Sequence, residues 1–311
     1  MKDGELRFTD KAIKHLISHY TYEAGVREVD RVIDRLCRKV VTLNSGDHRK
    51  KIVMKSSMLA TFLDPSHFIP QMPLAEDTVG HTQGLYAGDF GGGLTPIEVK
   101  IIKKISESDI IMTGHMGDVM KESVKAALTV AKKLLPNFGH KEEEFADKTF
   151  HIHFYDAATP KEGPSAGLAI TTTLISAMTD IPVRRDVCMT GEINLSGKSL
   201  PIGGLKEKLI GAHRAGMTTA LIPRQNESFL VDVPDVVKRE LEIIMVDNIS
   251  EVLEIALRKP AVNVDEDVQQ DENSGGNEEV SKVGVISEVR GSSVIKDGRA
   301  STRNNHPTLK I

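Results

Sequence analysis

Apolar positions in the first part of the chain recur with the spacing of α-helices. A first helix is predicted to end at Tyr20, with Thr9 or Asp10 capping its start. A second helix is predicted over residues 26–43, and its apolar face is formed by Val29, Val32, Ile33, Leu36 and Val40. A short strand-like stretch follows at residues 51–54. This part of the sequence therefore predicts a small helical subdomain.

The middle of the chain alternates between strand-like and helix-like segments. Short apolar or alternating runs predict strands at residues 97–101, 149–154, 187–190, 219–223 and 243–246. Helical spacing predicts helices at residues 118–135 and 168–178 and a last helix that ends at Leu257. One face of the 118–135 helix is expected to carry Val119, Val124, Ala127, Leu128, Ala131 and Leu134. Strands and helices mixed in this way predict an α+β, or mixed α/β, fold.

The composition changes after residue 262. Residues 265–279 contain acidic side chains but no Lys or Arg, and they are otherwise mostly small or polar. Such a stretch cannot bury enough apolar surface to offset the entropy of ordering the chain. We therefore expect a disordered tail over residues 263–311, after a main domain at 70–262 and a helical subdomain with its connector at 1–69.

Composition and charge exclude several classes of protein. The chain has 311 residues, no Trp and 4% aromatic residues, so its core must be built from aliphatic side chains. A net charge of −4 gives no indication of a nucleic-acid site. Two cysteines, Cys37 and Cys188, are too few for a disulfide framework and are expected to be reduced and buried. No apolar run is long enough to span a membrane and no signal peptide is evident, so a cytoplasmic protein is expected.

A serine in a glycine-containing turn is the first candidate for chemistry. Ser165 lies in the sequence Gly-Pro-Ser-Ala-Gly at residues 163–167, just before the apolar stretch at 168–178. Gly163 permits unusual backbone angles, and Pro164 fixes one φ angle. Ser165 is therefore expected to open a buried helix, where free N–H groups and the helix dipole favour developing negative charge. A serine hydroxyl is a weak nucleophile until a neighbouring base takes its proton.

A lysine at the margin of an apolar helix face is the candidate base. Residues 204–214 have helical spacing, with Leu205, Leu209 and Ala212 in one stripe and Lys208 on its edge. Burial disfavours the charged amine and lowers its pKa, and a base working near pH 7 needs a fall of roughly 3 units. The helix by itself leaves open the alternative that Lys208 extends its amine into solvent.

Four runs of sequence resemble blocks of the Lon-type ATP-dependent serine proteases. They lie at residues 114–123, 158–167, 189–193 and 201–208. The resemblance extends from about residue 1 to about residue 260, and it implies a Ser165–Lys208 catalytic dyad in an endopeptidase. It also implies that Thr190 hydrogen-bonds the dyad lysine. The family implies further that unfolded or damaged proteins are the substrates and that the chain forms a homohexameric ring.

The first 69 residues resemble the helical lid of the ATPase module in the same family. The segment at residues 22–28 is similar to the family's sensor segment, which places Arg27 where an arginine reaches an ATP phosphate. ATP and Mg²⁺ are thus implied as cofactors of the full enzyme. No Walker-type phosphate loop is present, because the Gly-Lys-Ser at residues 197–199 lacks the required glycine at position 192. The nucleotide-binding core and an N-terminal substrate domain are therefore expected to be missing from this sequence.

Two other interpretations of the same residues remain. The pattern G-x-S-x-G is also that of the α/β-hydrolase nucleophile elbow, with His213 as the base of an esterase or amidase. That elbow needs the serine immediately after a strand, whereas a strand here is predicted to end near Tyr155. The second alternative is a non-catalytic, ring-forming remnant.

The neighbours of Ser165 and a histidine pair add weaker candidates. Glu162 is expected to line the substrate entrance or to bond nearby backbone, and Lys161 is a competing base in a polar loop. His151 and His153 share one strand face near Asp156, but two histidines on a strand are more often structural, so no metal site is predicted.

One segment of the chain departs from the family pattern. Residues 84–90 lack the tryptophan usual there, which leaves the peptide preference open, and they are expected to form an edge near the substrate groove.

Overall fold

The computed structural model describes residues 6–23, 25–43, 51–66, 68–104, 108–155 and 161–258. The predicted tail, Asp156 and the first part of the 158–167 run lie outside the described residues.

The N-terminal part is a helical unit with one two-stranded sheet. Its elements are β1 (Leu6–Phe8), α1 (Asp10–Tyr20), α2 (Arg27–Leu43), β2 (Ile52–Met54), a 3₁₀ turn (Ser56–Met58) and α3 (Leu59–Phe62). Thr9 caps α1 as predicted, because its hydroxyl accepts a hydrogen bond from the N–H of Ala12 at 3.2 Å. β1 and β2 pair in parallel. Val32, Leu36 and Val40 are buried in the core of this unit, which confirms the predicted face of α2.

A seven-stranded mixed sheet forms the centre of the larger part of the chain. Its strands are β3 (His81–Gly88), β4 (Gly91–Lys103), β5 (Ile110–Thr113), β6 (Lys148–Phe154), β7 (Val187–Met189), β10 (Thr219–Pro223) and β11 (Glu242–Val246), and β8 (Glu192–Ile193) with β9 (Ser199–Leu200) forms a separate hairpin. The order across the sheet is β11-β10-β7-β3-β4-β6-β5. β4 is antiparallel to both neighbours, and the other pairs are parallel. The predicted mixed fold is confirmed.

Helices cover the two faces of this sheet. They are α4 (Asp118–Leu134), α5 (Gly167–Thr179), α6 (Leu205–Arg214), α7 (Asp235–Glu240) and α8 (Ile249–Ala256), with 3₁₀ helices at Leu135–Phe138, Glu142–Phe145 and Arg224–Asp232. One core lies between the sheet and α4, α5 and α8, and a second lies under α6 and α7. α5 is buried on nearly all sides, so its sequence has no charged residue and no polar stripe. The hydroxyls of its buried Thr and Ser residues donate to backbone carbonyls.

Two details of the predicted pattern are wrong. Val119 is exposed, and Met120 occupies the buried position at the start of α4. Cys188 is buried but Cys37 is only half-buried, although both are free thiols as predicted. Among the described residues, no helix combines the length and apolar character needed to cross a bilayer.

The segment at residues 84–90 forms the outer half of the β3–β4 hairpin. β3 pairs with β7 only at Gln83 and Gly84. From Leu85 to Gly88 it pairs with β4 alone, so one edge of the strand is left open. The predicted edge is confirmed, and its nearness to a substrate groove stays a prediction.

Candidate active site

The turn that carries Ser165 is held between α5 and the end of β7. Ser165 is half-buried and lies two residues before α5 begins. The N–H of Gly191 donates to the Ser165 carbonyl at 2.8 Å, and the N–H of Leu168 donates to the Gly191 carbonyl at 3.0 Å. Gly163 has φ = +92°, in the left-handed region that favours glycine. These contacts fix the backbone of the serine turn.

Lys208 is buried on the inner side of α6. Its residue is 4% exposed, and Leu205, Leu209 and Ala212 beside it are also buried, as the helical spacing predicts. Burial lowers the pKa of the Lys208 amine to about 8. The amine donates to the hydroxyl of Thr190 at 3.2 Å. Lys208 therefore carries a buried amine that loses its proton close to neutral pH.

Thr190 connects the buried amine with the serine turn. Its side chain is fully buried and its hydroxyl donates to the Ser165 carbonyl at 3.2 Å. Lys208, Thr190 and Ser165 thus form a chain of two hydrogen bonds across 43 sequence positions. In the part of the chain that the structure describes, no hydrogen bond uses the Ser165 hydroxyl, and none joins it to the Lys208 amine. Catalytic hydrogen bonds are often long without substrate, so this geometry is compatible with a nucleophile and its base.

Comparison with known proteins identifies the family. Residues 53–259 match the model of the Lon protease (S16) C-terminal proteolytic domain, and residues 1–52 match that of the Lon protease AAA+ ATPase lid domain. The chain belongs to the Lon protease family. The resemblance seen in the sequence is thereby confirmed.

Curated Lon proteases align with most of this chain. Lon protease 2 of Thermus thermophilus is 42% identical over 249 residues, which cover 80% of this chain and 31% of that protein. The Lon protease of Haemophilus influenzae is 43% identical over 266 residues, which cover 85% of this chain and 33% of that protein. The Lon protease of Azospirillum brasilense is 44% identical over 259 residues, which cover 83% of this chain and 32% of that protein. The chain spans about a third of the length of these Lon relatives.

The position of α6 depends on a close approach of two backbones. A Cβ added at Gly211 would lie 2.3 Å from the carbonyl carbon of Gly92, and one added at Gly92 would lie 1.9 Å from the Glu207 carbonyl oxygen. Gly92 is in β4 and Gly211 is in α6, so glycine at both positions lets the helix lie against the strand. This contact was not predicted from the sequence; its signals were an isolated glycine within the helical pattern of α6 and the run of glycines at residues 91–93.

Glu162 lies against the start of α4. A Cβ added at Gly117, the N-cap of α4, would lie 1.3 Å from Glu162 Oε1. The neighbouring Lys161 pairs through its backbone with His115 and Gly117 at 3.0 Å each. The carboxylate of Glu162 therefore faces the positive end of a 17-residue helix.

Arg27 belongs to the helical unit and is exposed as the first residue of α2. Asp34, about two turns further along the exposed side of α2, pairs with Arg38. Just before the helix, the Glu23 carboxylate accepts hydrogen bonds from the N–H groups of Glu28 and Val29 at 2.8 and 3.0 Å. The bond from Glu28 is the main cause that lowers the pKa of Glu23.

The α/β-hydrolase alternative is not supported. β6 ends at Phe154, eleven residues before Ser165, so the serine does not follow a strand directly. His213 pairs with Glu240 at 2.7 Å. It lies five residues after Lys208, which corresponds to about 500° of helix rotation and turns it away from the Lys208 side of α6.

His151 and His153 share a hydrogen-bond partner on the sheet. Both rings bond to the Thr113 hydroxyl, at 3.0 and 2.7 Å. Within the described ranges, no group of three His, Cys, Asp or Glu side chains is arranged to hold a metal ion.

Proposed function

We propose that this chain is the proteolytic part of an ATP-dependent serine endopeptidase, with Ser165 as the nucleophile and Lys208 as the general base. The observation that carries the proposal is the Lys208 amine, which is buried, has a pKa of about 8 and is linked through Thr190 to the Ser165 turn. Membership of the Lon protease family supports it.

The reaction follows from these groups. Neutral Lys208 takes the proton from Ser165 Oγ, and the oxygen attacks the carbonyl carbon of a peptide bond. The tetrahedral intermediate collapses to an acyl-enzyme while the charged amine of Lys208 donates its proton to the leaving nitrogen. A water molecule, activated by neutral Lys208, then hydrolyses the ester and restores Ser165.

Backbone N–H groups before α5 are suited to hold the oxyanion. In the described part of the chain, the N–H groups of Ser165 and Ala166 make no hydrogen bond. They precede the N-terminus of a 13-residue helix, where the dipole favours negative charge. We assign the oxyanion to these two groups.

Three further residues support the serine turn. Thr190 orients the Lys208 amine and holds the Ser165 carbonyl at the same time. Gly163 supplies the left-handed backbone angle that the turn requires. Glu162 anchors the turn against the start of α4 through its position over Gly117.

The family supplies the wider role that we propose. Substrates are unfolded or damaged proteins, the assembly is a homohexameric ring, and the location is the cytoplasm. Mg²⁺ and ATP would supply the energy for unfolding substrates. The described residues contain no phosphate-binding loop, and the exposed Arg27 at the start of α2 is the residue of this chain that we propose to reach a nucleotide phosphate.

Replacement of the nucleophile tests the proposal. Ser165→Ala is expected to lower the cleavage of an unfolded casein-like substrate by about 10³-fold or more, because the attacking oxygen is removed. Ser250→Ala, at an exposed serine, is the matched control and should retain activity. Circular dichroism and thermal unfolding should be unchanged in both variants. Wild-type turnover by Ser165→Ala would refute the assignment.

A further inference from the structure

The β3–β4 hairpin contacts the part of α6 that carries Lys208. The backbone of Gly92 is so close to α6 that an added Cβ would lie 2.8 Å from the Lys208 backbone nitrogen. Arg214 Nη2 also donates to the Gly92 carbonyl at 2.8 Å. Because no side chain separates the two backbones, a displacement of the hairpin at Gly92 must displace α6 around Lys208.

An aromatic cluster formed by Tyr22, Phe68, Tyr86 and Phe90 contacts the same hairpin. The Tyr22 ring centroid lies 5.5 Å from that of Phe90 and 5.6 Å from that of Phe68. The hydroxyl of Tyr22 lies 3.5 Å from that of Tyr86. Tyr86 belongs to β3, and Phe90 lies in the turn between β3 and β4. Tyr22 belongs to the part that matches the ATPase lid model.

Tyr22 is attached to the start of α2. Its N–H donates to the Glu28 carboxylate at 3.1 Å. The next residue, Glu23, accepts two hydrogen bonds from the first turn of the same helix. Tyr22 therefore moves with the N-terminus of α2, where Arg27 is the first helical residue.

We propose that Tyr22 is a positioning residue that couples the lid to the proteolytic site. It transmits the position of the start of α2 to the β3–β4 hairpin, and the hairpin transmits it through Gly92 to α6 and Lys208. The proposal rests on the assignment of Ser165 and Lys208 made above. It adds a role for Tyr22, which has no hydrogen bond to Ser165 or Lys208 among the described residues.

Hydrogen–deuterium exchange tests the coupling without any need for activity. Tyr22→Ala is expected to accelerate the exchange of backbone amides at residues 86–94 and also at residues 204–211. Phe229→Ala is the matched control, since Phe229 is 52% exposed, close to the 47% of Tyr22, and lies outside the cluster. Acceleration confined to the hairpin, with residues 204–211 unchanged, would overturn the proposal.

A double-mutant cycle tests its effect on the reaction. Tyr22→Ala and Phe90→Ala should each lower kcat on a short unstructured peptide by about three- to tenfold, with KM little changed, and Tyr22→Phe should largely preserve it. Each single substitution already removes the contact between the Tyr22 and Phe90 rings. The kcat of the double variant should therefore be no lower than that of the slower single variant. Additive effects, or none, would overturn the coupling.

Failure of the two proposals can be told apart. If Ser165→Ala remained active, the catalytic assignment would fail, while the exchange at residues 204–211 would still report whether Tyr22 acts on α6. If Ser165→Ala were inactive and the exchange at those residues did not respond to Tyr22→Ala, the coupling alone would fail.

Discussion

At the scale of single residues, the chemistry depends on how little water reaches the Lys208 amine. Burial is the cause of its lowered pKa, and the amine has the Thr190 hydroxyl as its hydrogen-bond partner. A hydroxyl solvates an ammonium less well than water does, so the neutral form is favoured. The helical spacing of α6 was sufficient to place Lys208 beside the apolar stripe, but the depth of its burial came from the strands that α6 covers.

The pH dependence of peptide cleavage follows from this lysine. Since the neutral amine is the base, kcat/KM should rise about tenfold per pH unit below 8 and level off above the pKa of about 8. Initial rates on an unstructured peptide between pH 6 and 9.5 measure this profile. A rate that stays constant from pH 6 to 8 would contradict a lysine base with this pKa.

The same burial should reduce the stability of the protein. The pKa of Lys208 falls from 10.5 to about 8 on folding, which corresponds to about 3 kcal/mol. The unfolded chain therefore binds more protons between these two values, and this penalty is complete below pH 8 and disappears as pH rises towards 10.5. Lys208→Met should thus be inactive yet more stable than the wild type at pH 7, by roughly 2–3 kcal/mol.

Urea unfolding at pH 7 and pH 10 measures this effect. The advantage of Lys208→Met should shrink at the higher pH, because the wild-type amine is then neutral in the folded state. Lys206→Met, at an exposed lysine of the same helix, is the control and should show no such dependence. A Lys208→Met variant that is less stable than the wild type at pH 7 would refute this explanation.

At the scale of elements, two glycines decide where α6 lies. Gly211 of α6 meets the backbone of Gly92 in β4, and this contact sets the depth at which Lys208 is buried. Gly204 is the N-cap of this helix, and its φ of +66° makes the sharp entry after β9 possible. The helix α6 is predictable from its apolar stripe. Its distance from β4 depends on Gly92 and Gly211, which are far apart in sequence.

Substitution of Gly211 tests this packing. Alanine favours a helix by about 1 kcal/mol over glycine, but an added Cβ 2.3 Å from the Gly92 carbonyl carbon forces the backbones apart. We expect Gly211→Ala to lose about 1–3 kcal/mol of stability and to lower peptide cleavage. Gly203→Ala is the control, because a Cβ there meets nothing within 4 Å. Equal stability of the two variants in chemical denaturation would contradict the close approach.

At the scale of the whole molecule, the mixed sheet joins the two halves of the proposed site. The Ser165 turn precedes α5 on one face, α6 lies on the other, and Thr190 directly follows the end of β7 between them. A single hydroxyl can therefore reach the serine turn and the lysine together. The order of β7 beside β3 and β10 is what makes this arrangement possible.

Assembly is the remaining prediction at this scale. From its family, the chain is expected to form a hexamer of six 34.1-kDa copies, about 205 kDa. Sedimentation velocity measures this mass, and Ser165→Ala should sediment in the same way because the nucleophile has no part in assembly. A wild-type chain that remains a monomer at concentrations where it cleaves peptide would exclude the ring as a requirement for cleavage.

The sequence by itself determined many of the local elements and the family, and it indicated the two residues of the proposed dyad. These follow from the order of side chains along the chain: α1 and α2 from periodicity and the Thr9 cap, α5 from a stretch without charged residues, and Ser165 and Lys208 from local motifs. The domain boundaries at residues 69 and 262 stay predictions, as does the tail.

The tertiary structure decided which of these local features meet. The contacts between Thr190 and Lys208, between Gly92 and Gly211, and between Tyr22 and Phe90 join residues that are far apart in sequence. A pattern along the chain reports which face of an element is apolar, but not which element covers that face or how closely. Burial of the Lys208 amine depends on that covering, so its lowered pKa belongs to the folded molecule and not to the helix alone.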